Sequence, residues 1–156
     1  MIRIDIPDFG LLSLEHLVMD YNGTLAIDGI LIPGVAEAIK KLSHNLQIHI
    51  ITADTFGKVR KQTDNLPITL KILAPSKQAQ AKRDYVHLLG SGLSACIGNG
   101  RNDRLMLQEA ALGIATIQNE GASQITLQYA DVVVNNILDA LNLLIHPLRL
   151  VAGLRD

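Results

Sequence analysis

The chain has 156 residues, a length that suits one domain around one core, and with 48% hydrophobic but only 3% aromatic residues that core must be aliphatic. A formal net charge of -1 leaves no electrostatic footprint for nucleic acid or an anionic membrane, and no window approaches the roughly 18 apolar residues of a membrane span. With Cys96 alone, an internal disulfide and a multi-thiolate zinc site are excluded, so a reducing, cytoplasmic setting is expected.

Short apolar runs alternate with helical patterns along almost the whole chain, the signature of βαβ units and a parallel sheet. Ile2 to Ile6 and Leu14 to Met19 read as strands paired near one edge. Leu25 to Ile32 carries Asp28-Gly29 between apolar residues, a short-hairpin signal. Pro33 and Gly34 then open a helix whose apolar face is Val35, Ile39 and Leu42. Gln47 to Ile51 is a strand, Phe56 to Asp64 a helix and Thr69 to Leu73 a strand. Lys77 to Leu89 is helical, with Tyr85, Leu88 and Leu89 as its apolar positions. Ser94 to Ile97 runs as a strand into Gly98-Asn99-Gly100, and Asn102 to Ala110 forms the helix after it. Strands at Gly113 to Ile117 and Asp131 to Val134 enclose a helix near Ala122 to Gln128. The last helix places Ile137, Leu141, Leu144 and Ile145 on one face and stops near Pro147. Neither a repeat nor a linker divides the chain, so residues 1–156 are expected to form a single domain.

Ligands of open α/β sheets bind beyond the carboxyl ends of the strands, and three such ends carry polar residues here. Asp20 ends a strand and is followed by Asn22-Gly23-Thr24, so its carboxylate would project into the crevice. Thr52 ends the strand Ile48-His49-Ile50-Ile51, with a hydroxyl suited to a phosphate oxygen. Lys77 opens a helix and would add a positive charge, with Lys71 and Lys82 as the other choices. In Gly98-Asn99-Gly100-Arg101-Asn102-Asp103 the glycines permit a tight turn, and a helix N-terminus favours anions.

In this order the residues resemble the four motifs of the haloacid dehalogenase superfamily: a strand-ending D-x-D-G-T, a strand-ending Thr or Ser, a Lys, and an acidic segment like G-D-G-x-N-D. The matches are Asp20 to Thr24, Thr52, Lys77, and Gly98 to Asp103, over a span of about Leu14 to Val134. The last segment is most similar to that of P-type ATPases and of small soluble proteins related to their phosphorylation domain. The resemblance implies a three-layer Rossmann-like α/β fold with a mostly parallel sheet and a β-hairpin after the first motif. It implies Asp20 as nucleophile forming an aspartyl phosphate, and Mg²⁺ held by Asp20, the carbonyl of Asn22, Asn99 and Asp103. Thr52 and Lys77 would hold phosphate, with Gly23, Thr24, Ala53 and Asn102 against the substrate, a phosphorylated small molecule or phosphoprotein.

Two positions depart from the pattern. Asn22 and Asn99 stand where such phosphatases usually carry acids, and an amide at 22 neither protonates a leaving oxygen nor activates water, work typically worth about 10² to 10⁴-fold. Slow turnover with a preference for good leaving groups is therefore expected. The 32 positions from Asp20 to Thr52 and 25 from Thr52 to Lys77 leave no room for a cap domain. An open site follows, to be covered by a bulky substrate or by a second copy of the chain through the 25–32 hairpin.

Other readings stay open. A receiver-type signalling module also uses Asp, Thr and Lys at successive strand ends, but it lacks the late glycine-rich acidic segment. A non-catalytic phosphate-binding fold would suit the two amides. Asp54 reads as a helix cap, Cys96 as inert core, and the five histidines show no metal-ligand spacing.

Overall fold

The computed structural model describes residues 1–53 and 58–156. Ten strands and seven α-helices follow in chain order among them: β1 Ile2–Ile6, β2 Gly10–Leu14, β3 His16–Asp20, β4 Ala26–Ile27, β5 Ile30–Leu31, α1 Val35–Leu42, β6 Gln47–Thr52, α2 Lys58–Thr63 and β7 Ile68–Ile72. Then come α3 Gln78–Leu89, β8 Ser94–Gly98, α4 Arg104–Glu109, β9 Leu112–Thr116, α5 Gln124–Gln128, β10 Val132–Val134, α6 Ile137–Ile145 and α7 Pro147–Leu154.

Six strands form the central sheet in the order β10-β9-β8-β3-β6-β7, every neighbouring pair parallel. Every residue of β3, β8 and β9 is buried, as expected for apolar strands covered on both faces. The two-residue period of a strand sorts the side chains between two layers. Leu17, Met19, Ile48, Ile50 and Ile97 meet Val35, Ile39, Leu141 and Leu144 from α1 and α6. On the other face Val18, Ile51, Cys96 and Ala115 meet Val86 of α3 and Met106 and Leu107 of α4. These three layers are the α/β architecture expected from the sequence, and β3, the strand that ends on Asp20, lies between β6 and β8.

Three local expectations need correcting. Leu14 belongs to β2, which pairs with β1 in a separate antiparallel ribbon. The turn between them is made by Asp8 (φ 63°) and Gly10 (φ 122°), so the sheet strand starts only at His16. In α3 the buried residues are Ala79, Lys82 and Val86, with Tyr85 and Leu89 packed beside them as expected, while Leu88 is 81% exposed. The helix α6 stops at Ile145, close to Pro147 as expected, but it is not the last: Pro147 occupies the first turn of α7, where a fixed φ is favourable, and the chain bends by 102° between α6 and α7. The helix expected from Phe56 is described from Lys58, and Asp54 lies outside the described residues. No single helix among the described residues is long and apolar enough to cross a membrane.

The hairpin β4–β5 has the expected two-residue turn, with positive φ at Asp28 (52°) and Gly29 (75°). It is tied to its own chain. The Asp28 N–H donates to Glu120 Oε1 (2.8 Å), the Leu31 N–H donates to Gln62 Oε1 (2.8 Å), and Gln62 Nε2 donates to the Gly29 carbonyl (2.6 Å).

Candidate active site

Asp20 is the last residue of β3, in register with Ile51 of β6, so its carboxylate stands at the carboxyl edge of the sheet. Its side chain is 11% exposed. Lys82 reaches it from α3, with Nζ 2.5 Å from Asp20 Oδ1 and 2.6 Å from Asp103 Oδ1. Lys82 and Asp103 are almost wholly enclosed, and buried charges of this kind persist only when paired. Burial works against the ammonium, but the charges of Asp20 and Asp103 and their hydrogen bonds outweigh it and hold Lys82 above the usual lysine range. Burial, then the charge of Asp103, pushes Asp20 up to about 7, against the lowering pull of Lys82 and of the Tyr21 backbone N–H.

The glycine-rich turn holds an anion, but that anion belongs to the chain. Asp103 Oδ2 accepts the N–H groups of Asn99 (3.0 Å) and Gly100 (2.8 Å), while Oδ1 accepts from Lys82. A Cβ on Gly98 would lie 2.5 Å from Asp103 Cγ, so glycine there admits the carboxylate against the backbone. Asp103, which the resemblance sets toward a metal, is wholly buried, with both oxygens hydrogen-bonded within the chain.

The turn after Asp20 is packed against Asn99. Gly23 has φ 75°, and a Cβ on it would lie 2.4 Å from Asn99 Nδ2. Thr24 Oγ1 donates to Asn99 Oδ1 (3.3 Å), and Asn99 Nδ2 donates to the Gly121 carbonyl (2.9 Å). Thr24 is completely buried, and its hydroxyl is engaged within this scaffold. Asn22 is exposed, and its backbone carbonyl accepts no hydrogen bond among the described residues.

Thr52 ends β6, one residue past the register partner of Asp20, and is 1% exposed; Ala53, next to it, is partly exposed. Lys77 is not brought to the site. It is exposed at the N-cap of α3 with φ 53°, and the lysine position is filled by Lys82, more than a turn further along. The legible signal was helical spacing, since Lys82 follows Ala79 by three positions and precedes Val86 by four, on the apolar stripe itself. Asn102 is partly buried, and its Nδ2 donates to Gln78 Oε1 (2.6 Å).

No family model matches the chain. It is 52% identical over 87 residues to an uncharacterized protein, MJ0073, of Methanocaldococcus jannaschii, covering 56% of this chain and 84% of that one. A soluble P-type ATPase-like phosphatase of the same organism is 25% identical over 135 residues, which is 85% of this chain but 50% of the relative, so the chain spans half of its length. Among solved structures, the cobalt-bound deoxy-D-mannose-octulosonate 8-phosphate phosphatase of Haemophilus influenzae superposes with a TM-score of 0.72 at 16% identity, over 86% of this chain and 88% of that one. A haloacid dehalogenase superfamily (subfamily III A) hydrolase of Legionella pneumophila gives 0.68 at 22% identity, over 90% and 86%. The chain is thus similar in sequence to a soluble P-type ATPase-like phosphatase and shares the fold of haloacid dehalogenase superfamily hydrolases. At these identities the solved structures speak for the fold, and that fold is shared over nearly their full length.

The residues present fit a divalent cation held by few ligands. Asp20 offers the oxygen that Lys82 does not touch, Asn22 offers a carbonyl without a partner, and Asn99 Oδ1, taking one hydrogen bond from Thr24, keeps a second lone pair. That set carries one carboxylate. Among the described residues, no group of three or more His, Cys, Asp and Glu side chains is placed to hold a metal.

Proposed function

We propose that the chain is a divalent-metal-dependent phosphohydrolase or phosphotransferase in which Asp20 attacks a phosphoryl group. The observation that carries this reading is the buried Lys82 ammonium bridging Asp20 and Asp103 beneath the one carboxylate that keeps some exposure. The oxygen of Asp20 that Lys82 does not hold forms the new bond to phosphorus as the bond to the leaving group breaks, giving an aspartyl phosphate that water later hydrolyses. Lys82 holds the other oxygen, orienting the nucleophile, and places positive charge where negative charge develops. Thr52, at the end of the next strand, donates its hydroxyl to a phosphoryl oxygen. Asp20, the Asn22 carbonyl and Asn99 would hold Mg²⁺, which supplies charge neutralisation between the nucleophile and the phosphate. A phosphatase of Moraxella catarrhalis with the same fold, TM-score 0.69 at 19% identity over 85% of this chain and 86% of that one, was solved with magnesium and phosphate bound.

Asn22 cannot give a proton to a departing alkoxide. Acyl phosphates and aryl phosphates, whose leaving groups are stable as anions, are therefore favoured over the sugar phosphates named for the structural relatives. The substrate class is a phosphorylated small molecule or phosphoprotein in the cytoplasm, entering an uncapped site. The test compares acetyl phosphate, p-nitrophenyl phosphate and a sugar phosphate with Mg²⁺, for the natural chain and Asp20→Asn. Turnover of the first two with an acid-stable phosphoenzyme, both abolished in Asp20→Asn, is expected. Equal rates in both proteins would remove Asp20 from the chemistry, and equal turnover of all three substrates would refute the leaving-group preference.

A further inference from the structure

Gln118 follows β9 with φ 51°, a left-handed conformation in which a glutamine is strained. Its side chain explains what holds it there. Nε2 donates to the Gly23 carbonyl (3.0 Å) and also to the Thr24 carbonyl, while Oε1 accepts the Ile137 N–H (3.3 Å) at the start of α6. The chemistry fixes this orientation, since both Gly23 and Thr24 present acceptors and Ile137 presents a donor. Neighbouring residues reinforce the link, because Glu120 accepts from Asp28 and the Gly121 carbonyl accepts from Asn99. The turn after Asp20 is thus held by the segment 118–121, almost 100 residues downstream.

The carbonyls of residues 21 to 26 show what the clamp does. Tyr21 accepts from the N–H groups of Thr24, Leu25 and Ala26, Leu25 accepts from Ile32, and Ala26 accepts from Gly23. Among the described residues no backbone N–H donates to the Gly23 or Thr24 carbonyl, and Gln118 supplies their donor. Asn22 alone in this run has a carbonyl without a partner among the described residues.

We propose that Gln118 is a positioning residue for the metal-binding carbonyl of Asn22, its amide locking the two carbonyls that follow so that this one stays available to a cation. The proposal rests on the metal-assisted phosphotransfer reading above. Loss of the amide leaves two partly enclosed carbonyls without donors and frees the turn to rotate.

The experiment measures Mn²⁺ binding by electron paramagnetic resonance, thermal unfolding, and the Mg²⁺ dependence of acetyl phosphate turnover. It uses the natural chain, Gln118→Gly, Gln118→Met and the exposed control Asn119→Ala. Gln118→Gly relieves the positive φ, whereas Gln118→Met keeps it and fills similar space without polar atoms. Both are expected to weaken Mn²⁺ binding roughly tenfold, about what loss of one or two hydrogen bonds to the turn implies, whatever their thermal stability. Turnover should recover at saturating Mg²⁺, and Asn119→Ala should behave as the natural chain. Natural-like Mn²⁺ affinity in either glutamine variant, an affinity that falls only with thermal stability, or a natural chain that binds no Mn²⁺ would overturn the proposal. A metal contrast without any phosphate turnover would leave the clamp standing and remove the phosphotransfer reading instead.

Discussion

Lys82 and Asp20 lie 62 positions apart in the chain, yet Nζ and Oδ1 are 2.5 Å apart in the fold, with the ammonium also 2.6 Å from Asp103. Removing the single cation of such a buried set costs about 3–5 kcal/mol, because the two carboxylates it pairs are left without compensation. Lys82→Met is therefore expected to lose that much stability in urea unfolding and essentially all turnover. Lys77→Ala, at an exposed position, should stay within about 1 kcal/mol of the natural chain and keep its activity. Greater loss of activity in Lys77→Ala than in Lys82→Met would return the motif to Lys77.

Restoring an acid at position 22 tests the leaving-group argument. Asn22→Asp is expected to raise turnover of a sugar phosphate by about 10² fold while changing acetyl phosphate turnover by less than about tenfold. Parallel increases for both substrates would show that proton donation is not what the natural chain lacks.

Asp20 carries its charge at a cost in the metal-free protein. Its pKa rises from 3.8 to about 7 on folding, so the folded state binds the extra proton between those values and this contribution to stability is lost as pH rises through 7. With chelator present, Asp20→Asn should be more stable than the natural chain at pH 8 by about 1–3 kcal/mol, and the gap should narrow toward pH 5. A less stable Asp20→Asn at pH 8 would contradict the burial of an ionised carboxylate there.

On the α3 side of the sheet, the buried His49 links His16 (3.2 Å) to the Tyr85 hydroxyl (2.9 Å). Burial, then the charge of His16, lowers His49 from 6.5 to about 4. The unfolded chain binds a proton that the folded one refuses between those values, so the stability is complete above about 6.5 and drains as pH falls toward 4, by about 2–3 kcal/mol. Urea midpoints of the natural chain should therefore fall more steeply from pH 7 to 4.5 than those of His49→Gln. Identical slopes would place the sensitivity elsewhere.

Gly23→Ala meets two obstacles, a φ of 75° and the Asn99 amide 2.4 Å from the new Cβ. A loss of about 2–4 kcal/mol is expected. Part of it should return in Gly23→Ala/Asn99→Ala, with a coupling of about 1 kcal/mol or more in a double-mutant cycle. Strict additivity would mean that the backbone conformation alone demands glycine.

Much of this was legible along the chain. The run Leu14 to Met19 ending on Asp20 reads directly as a strand with a carboxylate at its edge, though the strand starts two residues later, and Asp28-Gly29 requires the turn it makes. Lys77 misled because it opens α3, where a cation after a strand is conspicuous. Lys82 was hidden by its setting on the apolar stripe between Ala79 and Val86, which only its distant partners explain. Leu88 erred in the opposite sense, an apolar residue left 81% exposed.

The succession of strands and helices along the chain, the position of Asp20 and the amides at 22 and 99 were therefore determined by sequence alone, since the two-residue and helical periods and the residue types at strand ends are local properties. Which lysine reaches Asp20, what fills the glycine-rich turn and how Gln118 holds the loop were decided only by tertiary structure. Each of these depends on satisfying a buried charge or carbonyl with a partner from another part of the chain, and sequence spacing does not encode those distances.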